Sequence, residues 1–184
     1  IYNWVKFNPQ MYSAKPSNDF CDDALTLTPQ NATTCTSPSK ARLSFSSNSS
    51  NNSCNNNASL VDVWYKFVAT STKHSISTDG KDAELLTGTN CNALTPVTCL
   101  LTTNATNGIH QLTNLQIGQT YYLRIYGPNS YDPLNPLATF DVCVFGNTVT
   151  CNNPVATITT RCIDATKYEA IVTITQMGSS PTIN

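Results

Sequence analysis

The chain has 184 residues, only 11 % of them charged, and a formal net charge of −1, so it lacks the basic field that nucleic acid or an anionic membrane surface would demand. Thr, Ser and Asn supply the polarity that charge does not. Eight cysteines beside two histidines, with no Cys-x-x-Cys pair, favour disulfides over a metal cluster or redox motif, and therefore an oxidising compartment.

Residues 1–16 carry scattered apolar side chains and two prolines, Pro9 and Pro16, without a clean period. They read as a linker or the end of a preceding domain, and the whole chain reads as part of something longer. From Ser17 to Asp23 the Asn and Asp residues favour turns through local side-chain to backbone bonds, and Ala24, Leu25 and Leu27 open a first strand. Residues 30–38 form a polar turn holding Cys35, and 41–45 a short strand. Residues 46–59 are a Ser/Asn tract of low complexity, expected to bury nothing and pinned at Cys54.

The stretch 60–68 carries the strongest signal. Read with a period of two, it puts Val61, Val63, Tyr65 and Phe67 on one face and Asp62, Trp64, Lys66 and Val68 on the other, the mark of a long strand with one face in a core. Further strands are predicted at 74–78, at 83–86 after an Asp79-Gly80 turn, and at 108–112, 120–126 and 139–145. Cys91 and Cys99 bracket what reads as a stapled loop, and residues 127–136 are a loop with several prolines. After Gly146 the pattern restarts at 155–159 and 168–175, too few strands to stand alone.

No stretch keeps a helical apolar period, and no apolar run reaches the 18 or so residues of a membrane span. The predicted class is all-β: a jelly-roll-like antiparallel β-sandwich over 17–146, followed at 147–184 by the first strands of a second, Ig-like β module left incomplete.

Six motifs in order carry a family resemblance: Asn18-Asp19-x-Cys21-x-x-Ala24, Val63-Trp64-Tyr65-Lys66-Phe67-Val68-Ala69, Asp82-Ala83-x-Leu85, Cys91-x-x-Leu94-x-x-x-x-Cys99, Leu115-x-x-Gly118-x-x-Tyr121-Tyr122-x-Arg124-Ile125-Tyr126 and Phe140-x-Val142-Cys143-Val144. Together they resemble the Cys-rich form of the bacterial pre-peptidase C-terminal β-sandwich, found in secreted Bacteroidetes adhesins, gliding-motility proteins and enzymes exported by the type IX system. The resemblance implies a sandwich of roughly eight strands without chemistry of its own, and the segment from Cys151 resembles the start of the Ig-like repeats that follow such modules. Some members bind calcium through an Asn-Asp pair before the first strand. Asn18 and Asp19 match that pair, but 12–16 holds none of the usual acids, and Leu100-Leu101-Thr102-Thr103 stands where many relatives carry Asn-Asp-Asp.

Calcium would need six to eight oxygens, and the candidate ligands are Asn18, Asp19, Asp22 and Asp82, with Asp23 and Asp79 as neighbours. The competing reading makes Asn18 and Asp19 a turn and leaves the other acids solvated. The cysteines are expected to pair locally as Cys91–Cys99, Cys35–Cys54 and Cys151–Cys162, with Cys21–Cys143 clipping the first strand to the last, although eight cysteines allow about 105 arrangements. Sequons at Asn31, Asn48, Asn51, Asn57 and Asn104 are what a Ser/Thr/Asn-rich bacterial chain produces by chance. Trp64, Tyr122, Arg124 and Tyr126 are the candidate binding residues. On an exposed face they would suit stacking on sugars or packing on a neighbouring domain; loops over that face would make them structural.

Catalysis has little to work with. His74 and His110 sit on predicted strands, Glu84 and Glu169 are the only glutamates, and neither a nucleophile elbow nor a His-Glu-x-x-His motif is present. The expectation is therefore a non-enzymatic module of a large secreted or cell-surface bacterial protein, associated with the outer membrane and acting as an adhesin in attachment or gliding. Its expected partners are neighbouring domains, surface polysaccharide or other surface proteins, with no required cofactor. The alternatives are an accessory domain of an exported hydrolase such as a protease, or a subunit of a surface filament or secretion complex.

Overall fold

The computed structural model describes residues 14–49, 52–55, 57–129, 138–146 and 155–176. The expectations for residues 1–13, for most of the proline-containing loop and for Cys151 lie outside them. In chain order the strands are β1 (Leu25–Thr26), β2 (Ser39–Ala41), β3 (Leu60–Val68), β4 (His74–Ser77), β5 (Asp82–Thr87), β6 (Thr95–Leu100), β7 (Ile109–Leu112), β8 (Thr120–Pro128), β9 (Phe140–Phe145), β10 (Val155–Cys162) and β11 (Tyr168–Gln176).

The class is all-β, with its main strands in two sheets. One runs β1-β3-β8-β5-β6 and the other β2-β9-β4-β7. Only β1 pairs in parallel, with β3; the other ladders are antiparallel. The period-two reading of β3 is realised directly. Val63, Tyr65 and Phe67 are buried and pack with Leu123 and Ile125 of β8, Ala83 and Leu85 of β5, and Val142 and Val144 of β9 in one core cluster. His74 and His110 join the buried face of the second sheet, in the alternating pattern of β4 and β7. The imidazole of His74 meets Phe67 edge-on at 5.9 Å, and burial pushes both histidines below their ordinary pKa. The predicted Asp79-Gly80 turn has both residues at positive φ, 50° and 73°, left-handed backbone that Gly and Asp adopt at low cost, and it carries the chain from β4 in one sheet to β5 in the other.

The structure corrects four expectations. The strand foreseen at 41–45 is instead Ser39–Ala41, with Leu43 buried beyond its end. The stapled loop at 91–99 is a 3-10 turn (Cys91–Ala93) leading into β6, an edge strand. Among the described residues none of the expected pairs Cys91–Cys99, Cys35–Cys54 and Cys21–Cys143 forms: the bridges are Cys21–Cys91, Cys35–Cys143 and Cys54–Cys99, and Cys162 is free and exposed. Cys21 lies beside the 3-10 turn only because β1 and β5–β6 belong to one sheet, a proximity across 70 residues that sequence spacing does not encode. The Ser/Asn tract, expected to bury nothing, buries Ser46 and Asn52.

The chain divides into two units, Ile1–Asn147 and Thr148–Asn184. The second contains the β10–β11 hairpin. Its register places Ala156, Ile158, Thr160 and Cys162 opposite Ile174, Val172, Ala170 and Tyr168, so these eight share one face. The other face carries Thr157, Thr159, Thr173, the Arg161–Glu169 ion pair and one apolar side chain, Ile171. The hairpin is thus amphipathic, with Ile158 and Val172 largely exposed.

Candidate binding cleft over a buried charge cluster

The face of the five-stranded sheet turned away from the core carries, at its centre, Asp62 and Trp64 on β3, Tyr122, Arg124 and Tyr126 on β8, and Glu84 and Leu86 on β5. Pairing sets Trp64 opposite Arg124 and Asp62 opposite Tyr126 on one side of β8, and Glu84 opposite Arg124 on the other. Arg124, Asp62 and Glu84 are 2 %, 1 % and 0 % exposed. Arg124 donates from Nε and Nη2 to Asp62 Oδ2 at 3.0 and 2.8 Å, and its Nη1 lies 3.7 Å from Glu84 Oε2. The guanidinium also stacks 5.4 Å from the centre of the Trp64 ring. Charges this deep persist only when paired and hydrogen-bonded.

The Ser/Asn tract completes that pairing. The Ser49 backbone N–H and hydroxyl donate to Asp62 at 2.8 and 2.6 Å, and its carbonyl accepts from Arg124. Trp64 Nε1 donates to Asp62 Oδ1 at 3.1 Å. Ser53 donates from its N–H and its hydroxyl to Glu84 Oε1, and Cys54–Cys99 ties this segment to β6. Small polar residues suit the task because their backbone can approach closely and supply donors. Tyr126 Oη is buried without a hydrogen-bond partner. Burial first, then the carboxylates of Asp82 and Glu84, push its pKa up to about 12 against the pull of Arg124.

The lid is incomplete. Between it, the 3-10 turn at Cys91–Ala93 and the segment around Phe20 runs a cleft of about 630 Å³. Trp64 and Arg124 form its base, Leu86, Leu94 and Pro96 one wall, Phe20 another, and Asn48 and Asn92 its rim. Cys21 and Cys91 line it as well, so their bridge joins two of its walls. A smaller cleft, about 340 Å³, lies beside Gln30 and Cys143. There the Gln30 side chain is spent on Thr36, Ser37 and the Cys143 sulfur.

The structure gathers the four aromatic and basic candidates, Trp64, Tyr122, Arg124 and Tyr126, on one face and realises the second of the two readings, a face covered by loops: all four are buried, and Trp64 and Arg124 line the cleft. Of the four candidate calcium ligands, Asn18, Asp19 and Asp82 are engaged by other partners. The Asn18 amide and carbonyl bond the backbone of Trp64, so Asn18 extends the sheet. Asp19 accepts from Ser47 and pairs with Lys15 at 3.0 Å; burial works against its charge, but these partners outweigh it and hold its pKa below the usual value. Asp22 is exposed in a 3-10 turn at Cys21–Asp23, and Asp82 accepts from the Thr102 N–H. Among the described residues, no three of His, Cys, Asp and Glu meet as a metal-ligating group. His74 and His110 face the core, away from the cleft, whose one hydroxyl, that of Ser49, is held by Asp62.

Asp62, Glu84, Phe20, Asn48 and Asn92 had no assigned role in the sequence. The available signal was two acidic residues and an arginine at outward positions of strands otherwise built from Val, Tyr, Leu and Ile, where an unpaired charge would be costly.

Residues 17–142, well over half the chain, match the model of a family described as galactose-binding domain-like and associated with the type IX secretion system. The chain belongs to that family. Comparison with curated proteins and with solved structures found no match. The match and the three disulfides mark a module of a secreted or cell-surface protein. Among the described residues no helix is long and apolar enough to cross a membrane.

Proposed function

We propose that the chain is a non-catalytic attachment module of a larger bacterial surface protein, an adhesin held at the outer membrane after export. The observation that carries this reading is the cleft itself. Its base is set by a charge cluster in which Arg124, Ser49 and Trp64 hold Asp62 and Ser53 holds Glu84, its walls are joined by a disulfide, and its lining contains no nucleophile beside a base. Such a site is built to hold a ligand in a fixed shape, which lowers the entropy lost on binding. The finer resemblance to pre-peptidase C-terminal sandwiches and the one-sided apolar hairpin β10–β11, suited to an Ig-like sheet, support placement among serial surface modules. Calcium has no part in this reading, since Asp19 is already engaged by Ser47 and Lys15.

The test uses beads coated with the full chain, presented to cells and to surfaces carrying bacterial polysaccharide. Adhesion well above albumin-coated beads, without turnover of peptide or glycoside substrates, is expected. Adhesion no better than the albumin control, or hydrolysis lost on altering cleft residues, would overturn the proposal.

A further inference from the structure

The charges around the cleft narrow the partner, and this step rests on the attachment reading above. At its base one guanidinium lies against two carboxylates, Asp62 at 2.8 Å and Glu84 at 3.7 Å, so the base carries a net negative charge. The Phe20 wall adds to it. Phe20 leads into the 3-10 turn Cys21–Asp23, whose Asp22 and Asp23 are exposed and form no ion pair among the described residues. The cations nearby do not restore the balance: Lys15 is paired with Asp19 at 3.0 Å, and Lys66, opposite Tyr122 on β8, is a single charge. The other wall, Leu94 and Pro96 with Asn92 at its rim, carries no charge. A cleft with walls of low dielectric focuses such a field where open water would dissipate it.

We infer that the cleft docks a basic segment of another surface protein, taking one lysine or arginine side chain together with an apolar neighbour. Such a side chain matches the site on two counts. Its methylene stem packs on Phe20, Leu94 and Pro96, and its charged end lies at the rim beside the turn that carries Asp22 and Asp23. Phe20 is 53 % exposed, and Lys15 Nζ stands 5.0 Å from the centre of its ring, so a cation against this aromatic is a contact the protein itself makes. The charged end stays at the rim because Arg124 occupies the base. The volume, about 630 Å³, lies within the range of small-ligand pockets and admits the apolar neighbour as well. An acidic segment would meet the same field with the wrong sign, and a neutral apolar one would fill the walls but draw nothing from the field. Cys21–Cys91 ties the turn bearing Asp22 and Asp23 to the wall of Asn92 and Leu94, so the partner meets acids and apolar surface at a fixed spacing.

The probes are the peptide acetyl-Leu-Lys-Leu-amide and two analogues in which norleucine or glutamate replaces the lysine. Binding to the full chain at low salt is followed by saturation-transfer NMR and calorimetry. Saturable binding of the lysine peptide is expected, with a dissociation constant on the order of 1 mM. Both analogues should bind at least about fivefold more weakly, and about 0.5 M NaCl should weaken the lysine peptide about threefold. Phe20→Ala should weaken it about tenfold through lost apolar contact, and Asp22→Asn combined with Asp23→Asn about fivefold, while near-UV circular dichroism stays unchanged. Asn92→Lys, which places a cation on the exposed rim, should turn the preference towards the glutamate peptide. Equal binding of the norleucine peptide would overturn the charge assignment, and undiminished binding of the lysine peptide in all three variants would overturn the site. No binding of the lysine peptide, while coated beads still adhere, would overturn the basic-segment assignment and leave the attachment reading standing.

Discussion

Replacing Arg124 with Met is the sharpest test of what holds the outer face of the larger sheet together. Methionine fills a similar volume without charge, so the change leaves Asp62 and Glu84, 1 % and 0 % exposed, without their cation. Solvent cannot screen them at that depth, and breaking a buried pair in this way costs about 3–5 kcal/mol. Asp62 keeps the Ser49 and Trp64 donors and Glu84 keeps Ser53, which places the expected loss near the middle of that range, about 4 kcal/mol. For a sandwich of this size the melting temperature should fall by roughly 12–16 °C. The measurement is urea unfolding at neutral pH without reductant, followed by tryptophan fluorescence and near-UV circular dichroism. The triple variant Asp62→Asn, Glu84→Gln, Arg124→Met removes all three charges but keeps carbonyl oxygens for the Ser49 and Ser53 N–H groups. It should recover about half the loss. An Arg124→Met penalty below about 1 kcal/mol, or a triple variant no more stable than the single one, would refute the argument that the cation is needed by two buried anions.

Three further outcomes follow from the same structure. Non-reducing peptide mapping should recover Cys21–Cys91, Cys35–Cys143 and Cys54–Cys99, with Cys162 labelled by a thiol reagent before reduction. Cys54→Ser, opening a link across 45 residues, should cost about 4 kcal/mol by chain entropy. Stability should be flat from neutral pH to about 9 and fall above about 10, where Tyr126 ionises in the unfolded chain before the native one. It should decline as pH falls below about 6.5, because the unfolded chain takes up protons on His74 and His110 that burial denies them in the native state. The backbone of Phe145 and the charge of Asp82 soften this for His74 and His110 respectively. A second decline should appear below about 4, where Asp19 loses the charge that Ser47 and Lys15 hold. His110→Gln should flatten the first decline, and an unchanged slope would refute that assignment. Gly88→Ala should destabilise by about 1–3 kcal/mol, since its Cβ would strike the Ala93 carbonyl in the cleft wall; a wild-type urea midpoint would contradict this.

Sequence by itself determined the class and most of the strands of this protein. Alternation of apolar and polar residues is a local property, so residues 60–68 declare both their extended backbone and the side that goes inward, as do 120–126 and 139–145. Asp79-Gly80 declares its turn for an equally local reason, the low cost of left-handed backbone there. The cysteine partners were beyond reach, because pairing depends on which strands become neighbours, and β5 and β6 reach Cys21 and Cys54 only through the sheet order. The same holds for the cleft. Trp64 and Arg124 stood out as a binding face, but whether that face met solvent depended on where the Ser/Asn tract came to rest. A segment with almost no apolar surface has no hydrophobic signal for burial. It is drawn down by two carboxylates that need its N–H and O–H groups, and that demand exists only once β3, β8 and β5 lie side by side.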